Sequence, residues 1–358
     1  MHLDPGHGAR GRNHGCRWSL WRSGRSDVVV LENRHLRVSV TPQRGADIVE
    51  FRHKASDVDV LWRSPWPLPP PAAAPAWSGP AETAFLDGYQ GGWQVQLPIC
   101  GNATAYHGVP IGVHGEAWSL PWRWWVERDD EEEVALAFEV DLVRSPFRVR
   151  RVMRLGSDHA TLVLDERVHN VGAVPATFMW GHHPTFGAPF LKAGCRITSD
   201  ARSVRTSALH DDPSSRLLPE QHGSWPEAIT RDGQRVDLSV VPGPEASIHD
   251  WAYLGDFAEG WVAVREPEAG LGFALRFQAE LFPYVLYWQN FAGAKGAPWF
   301  GRCYVAGLEP QSSFPADFER GGPHLHLDPG ASLEARFVAS AFVSSHDVRH
   351  VAADGTVA

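Results

Sequence analysis

The chain has 358 residues, of which 43% are hydrophobic and 21% charged, and it carries a net charge of −9. A chain of this size and balance can bury a core without disulfide or metal staples. The negative charge argues against a nucleic-acid partner, which wants clustered Lys and Arg, and no run approaches the roughly 18–20 apolar residues of a membrane span.

Cys16, Cys100, Cys195 and Cys303 are far apart, with no CxxC pair and no zinc spacing, which suits a reducing compartment. Residues 1–18 contain no apolar stretch like that of a secretory leader, so the expected location is cytoplasmic. The 16 Trp against only 6 Tyr is unusual. Indoles pack cores, but they also stack on the C–H faces of sugars while their N–H bonds hydroxyls. Trp62, Trp66, Trp77, Trp93, Trp118 and Trp122 lie in or near Gly/Pro-rich stretches, where several are expected to line a pocket.

Residues 1–26 are polar and Gly/Arg-rich and read as a flexible arm. From Val28 the pattern becomes that of strands: Val28–Leu31, Leu36–Val40 and Ile48–His53 are short β-branched or apolar runs separated by turn residues. Residues 64–80 hold seven prolines and read as a long loop, since no sheet interior accommodates them. That loop leads to the glycine pair Gly91-Gly92, where backbone can approach closely, and then to Trp93, Gln94, Leu97 and Pro98.

The middle and end of the chain alternate with period two. Val134, Leu136, Phe138 and Val140 do so, as do Leu162, Leu164, Glu166 and Val168, and Leu271, Phe273, Leu275 and Phe277. Leu333, Ala335 and Phe337 repeat the pattern. With no clean 3.6-residue periodicity, the expected fold is all-β: a large antiparallel β-sandwich with little helix, formed by residues 27–350 as one domain.

The chemistry concentrates in a few places. His182-His183-Pro184 closes an apolar run, and because side chains alternate along a strand, only one of the two imidazoles is expected to reach a ligand. Glu309 before Pro310 ends a second apolar run, and a carboxylate with an imidazole makes an acid–base pair suited to neutral pH. His114, in Gly112-Val113-His114-Gly115, has backbone freedom to turn into a cleft. The cluster Arg148, Arg150, Arg151 and Arg154 reads as a solvated strand face, and the acidic run 129–133 as a hairpin turn. His324 and His326 lack a third ligand at metal spacing, so no metal is expected. There is no phosphate loop, GxSxG or HExxH motif.

Taken in order, Val38–Pro42 with Gly45-Ala46, Gly91-Gly92 with Leu97-Pro98, His114-Gly115, Asn170 ahead of His183–Phe186, and Leu308–Pro310 resemble the aldose 1-epimerase (galactose mutarotase-like) family over roughly residues 28–340. The resemblance implies the family's supersandwich and a cofactor-independent interconversion of sugar anomers. It makes Glu309 the base for the anomeric hydroxyl and His183 the acid for the ring oxygen, His183 being held protonated by a neighbouring carboxylate. It makes His114 a substrate-binding residue and points loosely to Asp250, and Trp93, Gln94 and His182 are further candidates for sugar contact. Thr185 replaces the family's usual Tyr, and its substrate-binding Arg is missing, with Asn102 and Tyr106 in that region. The implied partner is a small-molecule sugar, with no membrane, acting on a monomer or homodimer. Two other readings remain: a non-catalytic sugar-binding or sensing protein, and a glycoside hydrolase or lyase with Glu309 paired to Asp87 or Asp250.

Overall fold

A computed structural model describes residues 12–23, 26–66, 84–210 and 212–358. Its two main sheets are antiparallel. The larger has twelve strands, eleven running in spatial order Arg17–Ser23, Ser26–Glu32, Leu36–Thr41, Asp47–His53, Trp93–Gln96, Gly181–Gly187, Tyr304–Gln311, Tyr284–Phe291, Ile248–Gly255, Ser203–Arg205 and His222–Ser224, with Val58–Asp59 beside the fourth. The second has eight: Arg196–Ser199, Trp261–Arg265, Leu271–Arg276, Ser332–Val343, Thr161–Asn170, Phe147–Gly156, Glu133–Asp141 and Arg123–Asp129. Helix among the described residues is limited to Ala84–Gly88 and three single 3₁₀ turns.

The alternating residues account for the stacking. Phe138, Leu164, Phe273 and Phe337 of the second sheet are buried against Phe51, Trp93 and Phe186 of the first. Phe51 and Phe273 meet edge-on at 5.2 Å, and Trp93 stands 6.2 Å from the same Phe273 ring. Aromatic pairs of this geometry add to the area they bury. The two sheets therefore enclose one apolar layer, and the other face of the larger sheet is left to carry the cavity described below.

Two expectations change. Arg17–Ser23 is not part of an arm: it pairs in full register with Ser26–Glu32, and Trp18 packs edge-on against Trp124 at 5.7 Å. Its alternation was hidden by flanking Arg and Ser, as befits a rim strand. Residues 1–11 lie outside the described residues, as do 67–83, which include most of the proline loop and Trp77. The basic cluster divides, since Arg148 and Arg154 pair with exposed or half-buried carboxylates while Arg151 is fully buried. The acidic run does form the hairpin between Arg123–Asp129 and Glu133–Asp141, with Asp130 accepting the N–H of Glu132 and Glu133.

Candidate active site

His182 and His183 sit on the strand Gly181–Gly187 and point to opposite faces. His182 enters the layer between the sheets. Its Nδ1 accepts from Trp93 Nε1–H at 2.8 Å and its Nε2 meets Glu166 Oε2 at 3.1 Å. Glu166 also holds the buried Arg151. Burial alone would raise the Glu166 pKa, but Arg151 and His182 outweigh it and bring it down to about 2. Burial holds His182 below its ordinary value despite that carboxylate, so a neutral His182 donates to an ionised Glu166.

His183 faces the other way, where its Nε2 stands 3.3 Å from Glu309 Oε1. The strand Tyr304–Gln311 lies directly beside Gly181–Gly187, pairing Thr185 with Gly307, and this adjacency brings Glu309 to His183. Gly307, two residues before Glu309 and thus on the same face, leaves room for that carboxyl: a Cβ would come within 2.8 Å of Glu309 Oε1 and displace it.

Two hydrogen-bond networks fix where the proton between them rests. On one side, Glu309 Oε2 accepts from Gln96 Nε2 at 3.2 Å and Gln311 Nε2 at 3.3 Å. Oε2 is thus the carbonyl-like oxygen, and a proton on this carboxyl belongs on Oε1. On the other side, the Gly92 carbonyl accepts from Thr185 Oγ1, which accepts from Tyr89 OH, each at 2.9 Å. Tyr89 in turn receives His183 Nδ1–H at 3.3 Å. A carbonyl can only accept, so the chain runs one way and leaves His183 Nε2 bare.

Burial acts in the same sense. It pushes His183 down to about 3 and Glu309 well above its ordinary value, the two amide donors only partly opposing the latter. Both shifts favour a neutral carboxylic acid donating to a neutral imidazole. The expectation that a carboxylate would keep His183 charged is not met, because the cost of charging a buried ring exceeds what this partner returns.

His114 completes this end of the site. It adopts φ +63°, the left-handed region, and its Nδ1 accepts from Gly101 N–H at 3.1 Å with Gln96 Nε2 at 2.9 Å. A backbone N–H only donates, so the His114 proton is on Nε2. Burial and His183 hold its pKa well below the ordinary value.

These groups line a cavity of ≈ 610 Å³. Phe85, Tyr89, Trp288 and Trp299 form its aromatic walls, and Trp62 and Trp118 pack behind them. His249 and Trp251 reach it from the strand Ile248–Gly255, and Asp212 and His210 from the preceding loop. No Lys or Arg lines it among the described residues.

Of the residues expected from sequence, His183, Glu309 and His114 converge here and four others do not line the cavity. Asp250 lies between His249 and Trp251 and so faces away, fully buried, accepting from Ser215 Oγ, Arg216 N–H and Arg216 Nε. Trp93 and His182 belong to the inter-sheet layer. Gln94 shares a face with His183, but its amide nitrogen is taken by Asp47 Oδ2 and the Gly91 carbonyl and it does not line the cavity. Asn102 reaches the cavity, whereas Tyr106 is buried against the Thr177 carbonyl. Neither Asp87 nor Asp250, the carboxylates weighed for glycoside cleavage, lines it. Among the described residues no group of three His, Cys, Asp or Glu could hold a metal, and no helix is long and apolar enough to cross a membrane.

Sequence reasoning passed over Tyr89, Gln96, Gln311, Trp288, His249 and Asp212. Gln311 was findable, standing two residues past Glu309 on the same face; the others come together only through strand order.

The fold is that of the galactose mutarotase-like structures. A protein from Klebsiella pneumoniae subsp. pneumoniae, provisionally assigned as an aldose 1-epimerase, aligns over 94% of this chain and 89% of its own, with TM-score 0.70 and 16% identity. A provisionally assigned mutarotase from Salmonella typhimurium aligns over 92% and 94%, with TM-score 0.63 and 14% identity. A galactose mutarotase-like protein from Lactobacillus casei covers 88% of this chain with all of its own, at TM-score 0.57 and 15% identity. At such identities the likeness carries the fold alone. A comparison with curated proteins finds no match. Residues 23–337 match the family described as Domain of unknown function (DUF4432), and the chain belongs to that family.

Proposed function

We propose that this chain is a cofactor-independent mutarotase acting on a free aldose. The observation that carries the reading is the 3.3 Å approach of Glu309 Oε1 to His183 Nε2 at the wall of an aromatic cavity, in surroundings that favour one proton between them. Anomer exchange needs one group to give a proton while another takes one, and this pair is poised for both.

Glu309 gives its proton to the ring oxygen as His183 Nε2 takes the proton of the anomeric hydroxyl. The ring opens to the aldehyde, the C1–C2 bond rotates, and the reverse transfers close the other anomer. Both groups end as they began. These roles invert the ones implied by the family resemblance, because in this buried pair the proton rests on the carboxyl. His114, with its proton on Nε2, offers a fixed donor to a sugar oxygen.

The test is the rate of α/β exchange by saturation-transfer NMR across a panel of free and modified aldoses, with wild type and Glu309→Gln side by side. Acceleration for one sugar, reduced about 10²–10⁴-fold in the folded variant, is the expected result. Binding without acceleration would favour a sensor, and a new reducing end released from a glycoside would favour a hydrolase.

A further inference from the structure

The cavity also holds a donor and an acceptor that no other group among the described residues joins. His249 is 7% exposed, and its Nδ1 is buried with no hydrogen-bond partner. Its tautomer is set from behind, since Trp288 Nε1–H donates to His249 Nε2 at 3.1 Å and Nδ1 must then carry the proton. Burial pushes its pKa to about 4, which keeps the ring neutral.

Facing that N–H is Asp212 Oδ2, at 4.0 Å, too far for a hydrogen bond. The carboxylate is held in place through its other oxygen, which accepts from Ser214 N–H at 2.7 Å and from Ser214 Oγ. Burial works against the charged form of Asp212, but the Ser214 bonds hold the pKa below its ordinary value.

A native structure rarely leaves a buried N–H unpaired unless something else meets it. An oxygen at about 2.8 Å from both atoms closes a triangle on the 4.0 Å gap with roughly a right angle at its apex. That oxygen must accept from N–H and donate to carboxylate. A hydroxyl does both; an ammonium cannot accept, and a carboxylate or phosphate cannot donate. Beside it Trp251 stands 4.0 Å from the His249 ring and stacks on His210 at 5.1 Å and 13°, a flat platform suited to a sugar's C–H face.

We propose that His249 Nδ1–H and Asp212 Oδ2 together clamp one hydroxyl of the substrate, and that they select a neutral polyhydroxylated sugar over an anionic one. Among the described residues no Lys or Arg lines the cavity, which acts in the same direction, because an added carboxylate or phosphate would face Asp212 with no counter-charge from them. This inference rests on the cavity being a sugar site, but not on turnover there.

The experiment pairs deletions on both partners. Binding of D-glucose, D-galactose, their 2-, 3-, 4- and 6-deoxy forms and D-glucuronate is measured by ligand-observed NMR, and exchange rates are measured in parallel. The proteins are wild type, Asp212→Asn and His249→Phe. Asp212 has a 39% exposed side chain, so its substitution leaves the core alone if the buried ring tolerates none. The expected result is that wild type loses about tenfold to a hundredfold in affinity for one deoxy sugar, and that the variants lose this discrimination at that same position. Binding so coupled but without exchange leaves the clamp standing and removes only the mutarotase reading. Unchanged discrimination in Asp212→Asn overturns the clamp, as does preference for D-glucuronate or binding of none of the neutral sugars.

Discussion

His183 Nε2 and Glu309 Oε1 lie 3.3 Å apart and fully enclosed, and each is oriented by a partner on its far side: Tyr89 for the imidazole, Gln96 and Gln311 for the carboxyl. Orientation and burial act together. The networks aim a bare nitrogen at a protonated oxygen, and the low-dielectric surroundings keep charge off both.

The pH dependence follows. His183 gains a second proton only near its lowered pKa of about 3, and Glu309 loses its proton only above the ordinary carboxylate range. The competent one-proton pair therefore persists through pH 5–6, where a free imidazole would already be charging. Plots of kcat/KM against pH should show no acid limb near 6.5 and an alkaline limb set by Glu309. An acid limb centred near 6.5 would mean that His183 titrates as an exposed ring.

Gly307→Ala places a methyl group 2.8 Å from Glu309 Oε1. The carboxyl must shift, and a displacement of about 1 Å in a reacting group costs on the order of 10²-fold in rate. The expected variant is folded, by circular dichroism, with kcat down by about that factor. Unaltered kcat would show that the carboxyl position is not critical.

Tyr89→Phe cuts the relay from His183 Nδ1–H through Thr185 to the Gly92 carbonyl. The imidazole loses the acceptor that fixes its tautomer, and stability should fall by about 1–3 kcal/mol. Nitrogen-15 NMR of the ring reads this without substrate: a defined Nδ1–H tautomer in wild type, a mixture in the variant. The same spectrum for both proteins would remove Tyr89 from its positioning role.

Glu166→Gln tests the link between the sheets. It leaves Arg151 buried beside a neutral amide, a change that costs about 3–5 kcal/mol in comparable buried pairs. Urea unfolding should show the loss with the cavity residues His183 and Glu309 unchanged in position. In wild type the folded pKa of about 2 lies below the ordinary 4.5 of a free Glu, so this carboxylate's contribution is complete above about pH 4.5 and lost as pH falls toward 2. A variant as stable as wild type from pH 5 to 7 would contradict the account.

Much of the fold was legible because one face of each main strand is buried. Glu133–Asp141, Thr161–Asn170, Leu271–Arg276 and Ser332–Val343 carry their apolar residues at every second position, and that period specifies a two-layer antiparallel fold. Alternation also fixed that only one of His182 and His183 faces a ligand. The rim strand Arg17–Ser23 was missed since an edge needs few apolar residues.

Sequence by itself determined the strands, their two-faced character and the chemical types at the ends of two of them. Tertiary structure decided which strands are neighbours, and hence that residues 183 and 309 meet. It also decided protonation, because a pKa depends on burial and on partners far away in the chain. Asp250 shows the limit most plainly. One position separates it from His249, and the pleat turns it away from the cavity toward Arg216 while its neighbour looks in, a matter of sheet face that residue type does not encode.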